Sequence, residues 1–261
     1  MNQVTPETTI EELCSYEEYK PLSDYFFTNM TEDVWRRPLG DYGFRKCGFE
    51  ETLGRIKALI LTGQPLIYPV FPTDDDRRSV KLIFMPSTPN RTPGKPYVLI
   101  CPGGAYARQW GLIEGLAMGA RMNRLGYPAF VLYYRTAGKP PFDNPLLPKP
   151  IEDLAAAIRL IGDRAADFGV GKEDYALAGF SAGAHLAAEW GTVSYTHLRA
   201  FAFDIVIPRE TVQLSFFQHP IQNPTDINIP EIPIMSARSF FVDKICLHIF
   251  HAHFHRTVNI I

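Results

Sequence analysis

The serine at position 181 stands in the pentapeptide Gly179-Phe180-Ser181-Ala182-Gly183, between a predicted strand and a predicted helix. This is the context of a nucleophile elbow, in which the flanking glycines leave room for a strained turn that lifts the serine hydroxyl above the sheet. The chemistry predicted for Ser181 is therefore nucleophilic catalysis. The alternative is a tight strand-to-helix turn in which the serine only caps the helix.

A second motif, Cys101-Pro102-Gly103-Gly104-Ala105-Tyr106, directly follows a buried strand predicted over 97–101. Its small residues let the backbone come close to a bound molecule. Taken alone, the segment also fits a plain loop. Paired with the serine turn, it gains weight, because both loops would lie at the carboxyl ends of parallel strands, where open α/β sheets bind ligands.

Alternating strands and helices position these two motifs. An antiparallel hairpin is predicted from 66–71 and 80–84, and three continuous apolar runs predict strands buried on both faces. The buried strands are expected at 97–101, 129–134 and 175–179. Apolar residues at helical spacing predict helices around 113–120, 154–161 and 182–190. The order predicts an α/β fold with a mostly parallel sheet.

Composition and charge limit the partners. The 261 residues are 46% hydrophobic, which is enough for one packed domain. Lys and Arg number 26 against 28 Asp and Glu, and no basic stretch stands out. Nucleic acid and anionic membranes are therefore not expected as partners, and a small molecule is.

The cysteines and the first residues predict the compartment. Cys14, Cys47, Cys101 and Cys246 are scattered, with no CxxC pair. The first twelve residues are polar and acidic, and no apolar run reaches the roughly 18 residues of a membrane span. We expect a cytoplasmic protein that is neither exported nor embedded in a membrane, with no cofactor and no metal.

Three segments differ in character: a helical N-terminal extension (1–63), an α/β core (64–192) and an atypical tail (193–261). All 19 glycines lie at or before Gly191, whereas a parallel sheet needs tight turns throughout. The run from Val193 to Ala200 also resembles the conceptual translation of an adapter used in sequencing libraries. We therefore expect the alternation of strands and helices to stop near Val193, and the native gene to be truncated at a join near Thr192.

The core resembles the α/β-hydrolase serine esterases, in particular the carboxylesterase and acetyl-xylan-esterase-like branch related to the hormone-sensitive-lipase group. The residues that carry the resemblance are 100–106, 114–115, 126–135, 152–158 and 179–187. The sequence departs from the family pattern at Pro102, where many relatives have His, and at Ala105 and Ala184, where Gly is usual. The resemblance implies a three-layer sandwich, incomplete at its C-terminal side.

The resemblance also implies acyl transfer. Ser181 would attack an ester carbonyl while the amides of Gly104, Ala105 and Ala182 bind the oxyanion. The expected substrates are short-chain acyl esters, with acetyl groups on sugars as one option. Peptidase or dienelactone-hydrolase chemistry is a weaker alternative. The competing class is a non-catalytic, truncated hydrolase-like fragment that lacks the acid and the base of the triad.

The acid and the base should follow the serine in the chain, in that order. The tail holds three aspartates and five histidines that could serve: Asp204, Asp226, Asp243, His219, His248, His251, His253 and His255. None stands in a family motif, and each could equally be a surface residue. His251, His253 and His255 could alternatively bind a metal if extended. His185 belongs to the helix after Ser181 and is expected to serve packing.

Overall fold

The computed structural model describes residues 3–87, 94–137, 149–193, 200–204 and 213–215. Within these residues the α-helices are α1 (Ile10–Ser15), α2 (Lys20–Ser23), α3 (Glu32–Trp35), α4 (Phe49–Leu61), α5 (Ala117–Arg124), α6 (Lys149–Asp163), α7 (Ala165–Phe168) and α8 (Ala182–Val193). The strands are β1 (Ile67–Pro69), β2 (Lys81–Met85), β3 (Lys95–Cys101), β4 (Ala129–Tyr133), β5 (Val170–Phe180), β6 (Ala200–Asp204) and β7 (Gln213–Ser215). Turns of 3-10 helix lie at Glu17–Tyr19 and Leu39–Tyr42, and a π-helical turn, Gly111–Leu116, leads into α5.

The strands form one sheet in the order β1-β2-β4-β3-β5-β6-β7. The four central strands, β4, β3, β5 and β6, are parallel, while β1, β2 and β7 run antiparallel to their neighbours. Parallel pairing requires crossover connections. The connections between β3, β4 and β5 contain α5, α6 and α7. The carboxyl ends of β3 and β5 therefore lie side by side at one edge, where the candidate site forms.

Alternate residues of the central strands pack into two separate cores, one on each face of the sheet. In β3, Val98 and Ile100 join a core with α4 and α5, whereas Leu99 and Cys101 join a core with α6, α7 and α8. Both faces of the central strands are thus covered, as in a three-layer α/β sandwich. The α/β-hydrolase fold predicted from the sequence is confirmed.

The helices of the first 61 residues pack on the same face as α5. Thr9 caps α1 by accepting a hydrogen bond from the amide of Glu12 at 3.1 Å. The buried side chains of Ile10, Leu13 and Ile56 belong to the core that contains Val98 and Ile100. This segment therefore shares a core with the sheet. No helix in the described ranges is long and apolar enough to cross a membrane.

The strands and helices predicted for 66–190 are all present. The tail differs from the expectation, because β6 pairs in parallel with β5 and extends the sheet beyond Thr192. Its sequence, Ala200-Phe201-Ala202-Phe203-Asp204, alternates small and aromatic residues with the period of a strand, a signal that spans only five residues. Residues 216–261 lie outside the described residues.

Candidate active site

Ser181 occupies a strained turn between β5 and α8. Its φ angle is 48°, in the left-handed region that is costly for residues other than glycine. The Ser181 carbonyl accepts hydrogen bonds from the amides of Ala184 and His185, at 2.9 and 3.0 Å, which start the helix. The residue is exposed although Ala182 and Gly183 beside it are buried. The turn thus presents Ser181 to solvent at the carboxyl edge of the sheet.

The two glycines of the pentapeptide are required by close backbone contacts. A Cβ atom added at Gly179 would overlap the Gly183 carbonyl, and one added at Gly183 would overlap the Cys101 carbonyl. The second contact brings the start of α8 directly against the end of β3. The serine turn and the glycine-rich loop after β3 are therefore packed backbone to backbone.

The glycine-rich loop holds an unusual backbone conformation. Gly104, Ala105 and Tyr106 have φ angles of 139°, 55° and 57°. Two hydrogen bonds close the turn, from the amides of Ala107 and Arg108 to the Gly104 carbonyl, each 3.0 Å long. Consecutive positive φ values in non-glycine residues store strain that the surrounding contacts must hold, and such strain is frequent at functional sites.

Gly103 is the point where this loop meets Ser181. A Cβ atom built on Gly103 would lie 3.0 Å from the Ser181 Cβ and 2.9 Å from Oε2 of Glu114. The Gly103 amide donates to the same Glu114 oxygen at 2.7 Å, and the Gly103 carbonyl accepts from the Trp110 amide at 3.2 Å. Both polar groups of Gly103 are thus used within the protein.

The three amides predicted to bind an oxyanion differ from the Gly103 amide, which is already hydrogen-bonded to Glu114. Among the described residues, no backbone acceptor is found for the amides of Gly104, Ala105 or Ala182. Gly104 and Ala105 lie immediately beyond the Gly103 contact with Ser181, and Ala182 follows Ser181 in the chain. The structure therefore brings the predicted residues Ser181, Gly104, Ala105 and Ala182 to one edge of the sheet.

Tyr106 and His185 link the loop to α8. The Tyr106 hydroxyl lies 2.9 Å from Nδ1 of His185, and the two rings meet edge to face with centroids 5.9 Å apart. Burial is the main cause that raises the pKa of Tyr106, so its hydroxyl keeps its proton at neutral pH. His185 is exposed and has Tyr106 as a hydrogen-bonding and ring-contact partner. Its predicted packing role stays a prediction.

The N-terminal segment forms one side of the loop. Thr28 pairs with Gln109 through two backbone hydrogen bonds of 3.1 and 3.3 Å, and the side chain of Asn29 donates to the Thr136 hydroxyl at 3.0 Å. Phe27 and Trp110 meet edge to face with ring centroids 5.9 Å apart. The N-terminal segment thus contacts the residues that directly follow the loop.

A buried ion pair anchors the end of β4 near the same edge. Asp153 on α6 accepts hydrogen bonds from the Arg135 backbone amide, at 2.8 Å, and from its Nε, at 2.9 Å. The Asp153 side chain is fully buried, and that of Arg135 is 17% exposed. The hydroxyl of Tyr134 donates to the Pro102 carbonyl at 2.6 Å. The segment directly after β4 therefore also holds the glycine-rich loop in place.

The predicted acid and base candidates are mostly outside the described residues. This applies to Asp226, Asp243, His219, His248, His251, His253 and His255. For Asp204 the backbone is described: it is the last residue of β6 and follows Phe203, which pairs with Phe180 at the end of β5. No group of histidine, cysteine or carboxylate side chains suited to a metal ion is found among the described residues.

Comparison with known proteins identifies the family. The sequence model of the BD-FAE family matches residues 83–214, about half of the chain, and this stretch includes both the glycine-rich loop and Ser181. The chain belongs to the BD-FAE family. Because this is a family of α/β-hydrolase esterases, the resemblance predicted from the two motifs is confirmed.

Individual relatives cover parts of the BD-FAE chain. An acetylxylan esterase of Xylanibacter ruminicola is 30% identical over 125 residues, which is 48% of this chain and 24% of that protein. The chain therefore matches about a quarter of that relative's length. An acetyl ester-xyloside bifunctional hydrolase from Caldicellulosiruptor lactoaceticus is 26% identical, with coverage of 49% and 46% and a TM-score of 0.40. A thermophilic esterase from Thermogutta terrifontis is 20% identical, with coverage of 47% and 43% and a TM-score of 0.40.

Sequence reasoning assigned no role to Glu114 or to the pairing of Tyr106 with His185. All three residues lie in segments that carried the family resemblance. Pairings between residues 79 positions apart in the chain leave no periodic pattern in a single sequence. A glutamate within an otherwise apolar helical stretch, as in Leu112-Ile113-Glu114-Gly115-Leu116, was the available signal for a buried polar contact.

Proposed function

We propose that this BD-FAE chain is a serine esterase in which Ser181 is the nucleophile and the amides of Gly104, Ala105 and Ala182 form the oxyanion hole. The observation that carries this proposal is the contact at Gly103, where the glycine-rich loop lies against Ser181. The positive φ of Ser181 supports it as well, because a capping serine needs no such strain.

The proposed reaction has two steps. The Ser181 oxygen bonds to the ester carbonyl carbon as a base takes its proton, and the carbonyl oxygen becomes an oxyanion that accepts hydrogen bonds from the three amides. The carbon–oxygen bond to the alcohol then breaks, and the alcohol leaves with that proton. Water then attacks the carbonyl carbon of the acyl-serine as the base takes a proton from the water. The bond to Ser181 breaks, the proton returns to the serine oxygen, and the carboxylic acid leaves. Each oxyanion donor contributes about 3 kcal/mol of barrier lowering.

Short acyl groups are the proposed substrates, with acetyl groups on carbohydrates as the first to test. The support is the similarity to an acetylxylan esterase. Ala105 adds a methyl group where glycine is usual in the family, and its amide remains available. The added methyl group favours small acyl groups such as acetate over long chains.

A second candidate is a non-catalytic hydrolase-like protein. The observation in its favour is that His185, the single histidine of the described ranges, is bonded to Tyr106. The base of the esterase proposal must then come from the histidines at 197–255. If none of them reaches Ser181, the hydroxyl would be well placed and unactivated.

Hydrolysis assays separate the two candidates. We expect the purified chain to hydrolyse p-nitrophenyl acetate faster than the octanoate ester, and to release acetate from acetylated xylo-oligosaccharides. Ser181→Ala should lower turnover by several orders of magnitude, since removing the nucleophile of a working triad abolishes the covalent route.

Ser87→Ala is the matched control, because this buried serine lies away from the loop and has no hydrogen-bond partner among the described residues. Equal hydrolysis by the parent, Ser181→Ala and Ser87→Ala proteins would refute the assignment of Ser181. A folded parent protein with no turnover on any of these esters would favour the non-catalytic candidate.

A further inference from the structure

Glu114 has no role in the reaction steps proposed above. It lies in the π-helical turn Gly111–Leu116, and π-helical turns are rare and frequent at functional sites. Its carboxylate points at the glycine-rich loop, where Oε2 accepts the hydrogen bond from the Gly103 amide at 2.7 Å. That length is typical of a charge-assisted hydrogen bond.

The same carboxylate lies close to Ser181. The position of a Cβ built on Gly103 is within 3.0 Å of both Glu114 Oε2 and the Ser181 Cβ. Glu114 and Ser181 therefore both lie next to Gly103. A shift of Gly103 would move Gly104 and Ala105, which follow it in the chain, relative to the serine.

We propose that Glu114 is a positioning residue: by holding the Gly103 amide, it fixes the strained turn so that the amides of Gly104 and Ala105 face Ser181. This inference rests on the proposed esterase function. Glu114 acts through Gly103 and takes no part in bond making. It also removes the Gly103 amide from the set of oxyanion donors, which leaves the next two amides for that task.

The surroundings of Glu114 suit such a role. Burial raises the pKa of Glu114 to about 7, against the opposing effect of the Gly103 hydrogen bond. The titratable groups that interact with it are the Cys47 thiol, before α4, and the Tyr134 hydroxyl, after β4. No cationic side chain contributes to its shift among the described residues. The Gly103 amide is thus its main stabilising partner.

Two substitutions separate positioning from simple packing. Glu114→Leu removes the acceptor and fills the space with an apolar side chain, whereas Glu114→Gln keeps an acceptor oxygen and removes the titrating group. Glu32→Gln is the control, because the Glu32 side chain is 89% exposed on α3. The measurements are the rate of Ser181 labelling by a fluorophosphonate at pH 6 and pH 8, and the Gly103 amide resonance in ¹⁵N-labelled protein.

We expect Glu114→Leu to slow labelling by about 10- to 100-fold, part of the effect of losing one oxyanion donor. Glu114→Gln should label within about threefold of the parent at pH 8 and Glu32→Gln should match it, since neither change removes the acceptor. In the parent, the Gly103 amide resonance should shift with a midpoint near the Glu114 pKa of about 7. In Glu114→Gln the shift should be absent.

Labelling of folded Glu114→Leu within twofold of the parent would overturn the proposal. So would a Gly103 amide resonance that ignores pH in the parent. If Glu114→Leu does not fold, the pH dependence of the Gly103 resonance in Glu114→Gln decides: its absence supports the proposal, and its persistence overturns it. If the parent itself is not labelled, the esterase proposal fails, and the Gly103 resonance alone decides whether Glu114 holds the turn.

Discussion

The Tyr106 hydroxyl lies 2.9 Å from Nδ1 of His185 and joins the glycine-rich loop to the first turn of α8. Tyr106 itself has a φ angle of 57°, so the hydrogen bond holds a residue in a strained conformation. The Ala137 amide also donates to the Tyr106 carbonyl, at 2.8 Å. Tyr106 is therefore fixed at both its backbone and its side chain.

Tyr106→Phe should weaken this link. We expect the free energy of unfolding to fall by about 0.5–1.5 kcal/mol, the usual net worth of one hydrogen bond, and Ser181 labelling to slow. Urea denaturation and fluorophosphonate labelling measure the two effects. Tyr68→Phe, which removes the bond of Tyr68 to the Pro65 carbonyl, is the control and should leave labelling unchanged. Equal labelling rates for both variants would show that the link to His185 does not matter for Ser181.

Gly183→Ala tests the contact between α8 and β3. The added Cβ would overlap the Cys101 carbonyl and lie 2.7 Å from the Pro102 carbonyl oxygen, so the helix must move away. We expect a loss of about 1–3 kcal/mol or more in the free energy of unfolding, as for other overpacked sites.

Gly54→Ala is the opposite case on the exposed side of α4, where an added Cβ has nothing within 4 Å. It should stabilise the protein by roughly 0.5–1 kcal/mol, since alanine is the better helix former. Chemical denaturation of both variants checks the pair. A Gly183→Ala protein as stable as Gly54→Ala would contradict the backbone contact.

Asp153→Ala removes one partner of the buried pair with Arg135. The Arg135 side chain, which is only 17% exposed, would lose its bonds to Asp153 and keep an ion pair with Glu152 at 3.1 Å. We expect a loss of about 1.5–3 kcal/mol in the free energy of unfolding, the usual worth of hydrogen bonds to a charged group, measured by urea denaturation. Asp41→Ala, at the exposed turn before α4, should change stability little. A loss below about 1 kcal/mol would mean that the pair does not anchor β4.

Because the pKa of Glu114 is raised in the folded protein, we expect the free energy of unfolding to fall as the pH rises. Its pKa is about 7 in the folded protein and about 4.5 when unfolded, so between these values the folded state holds a proton that the unfolded state has lost. The contribution of Glu114 to stability is therefore present below pH 4.5 and is lost as the pH rises to about 7. Relative to Glu114→Gln, the parent should lose about 1 kcal/mol or more between pH 5 and pH 8. If the difference in the free energy of unfolding between the parent and Glu114→Gln is the same at pH 5 and pH 8, the burial of this carboxyl is contradicted.

Much of the sheet could be predicted from the sequence because its signals are local. The run Tyr97-Val98-Leu99-Ile100-Cys101 is apolar throughout, and β3 is indeed covered on both faces. The order of the strands depends on pairings between distant segments, which a single sequence does not display. The β6 strand was not predicted, because its period-two pattern spans only five residues and the tail around it contains no glycine.

The site divides in the same way. Gly179 and Gly183 pointed to a close backbone approach, but the partner of Gly183, the Cys101 carbonyl, is 82 positions away and emerges only from the fold. The positive φ of Ala105 could not be predicted, because alanine has no preference for that region. The acid and the base stay predictions, as do the cytoplasmic location and the small-molecule partner.

The origin of the tail also stays a prediction. The family match continues past Thr192 to residue 214, while residues 193–200 resemble an adapter translation. Sequencing of the source locus distinguishes a native tail from a tail joined near Thr192. An interrupted reading frame near Thr192 would support the join, and uninterrupted reading from Gly191 to Arg199 would refute it.

The most direct test of the central claim is covalent labelling of the purified, folded chain with a fluorophosphonate, followed by peptide mapping with mass spectrometry. An activated serine facing oxyanion donors reacts with this probe, as a mimic of the acyl-transfer step. We predict one adduct, on Ser181, that disappears in Ser181→Ala and persists in Ser87→Ala. Absence of any adduct on folded protein, or an adduct that survives in Ser181→Ala, would contradict the assignment of Ser181 as the nucleophile.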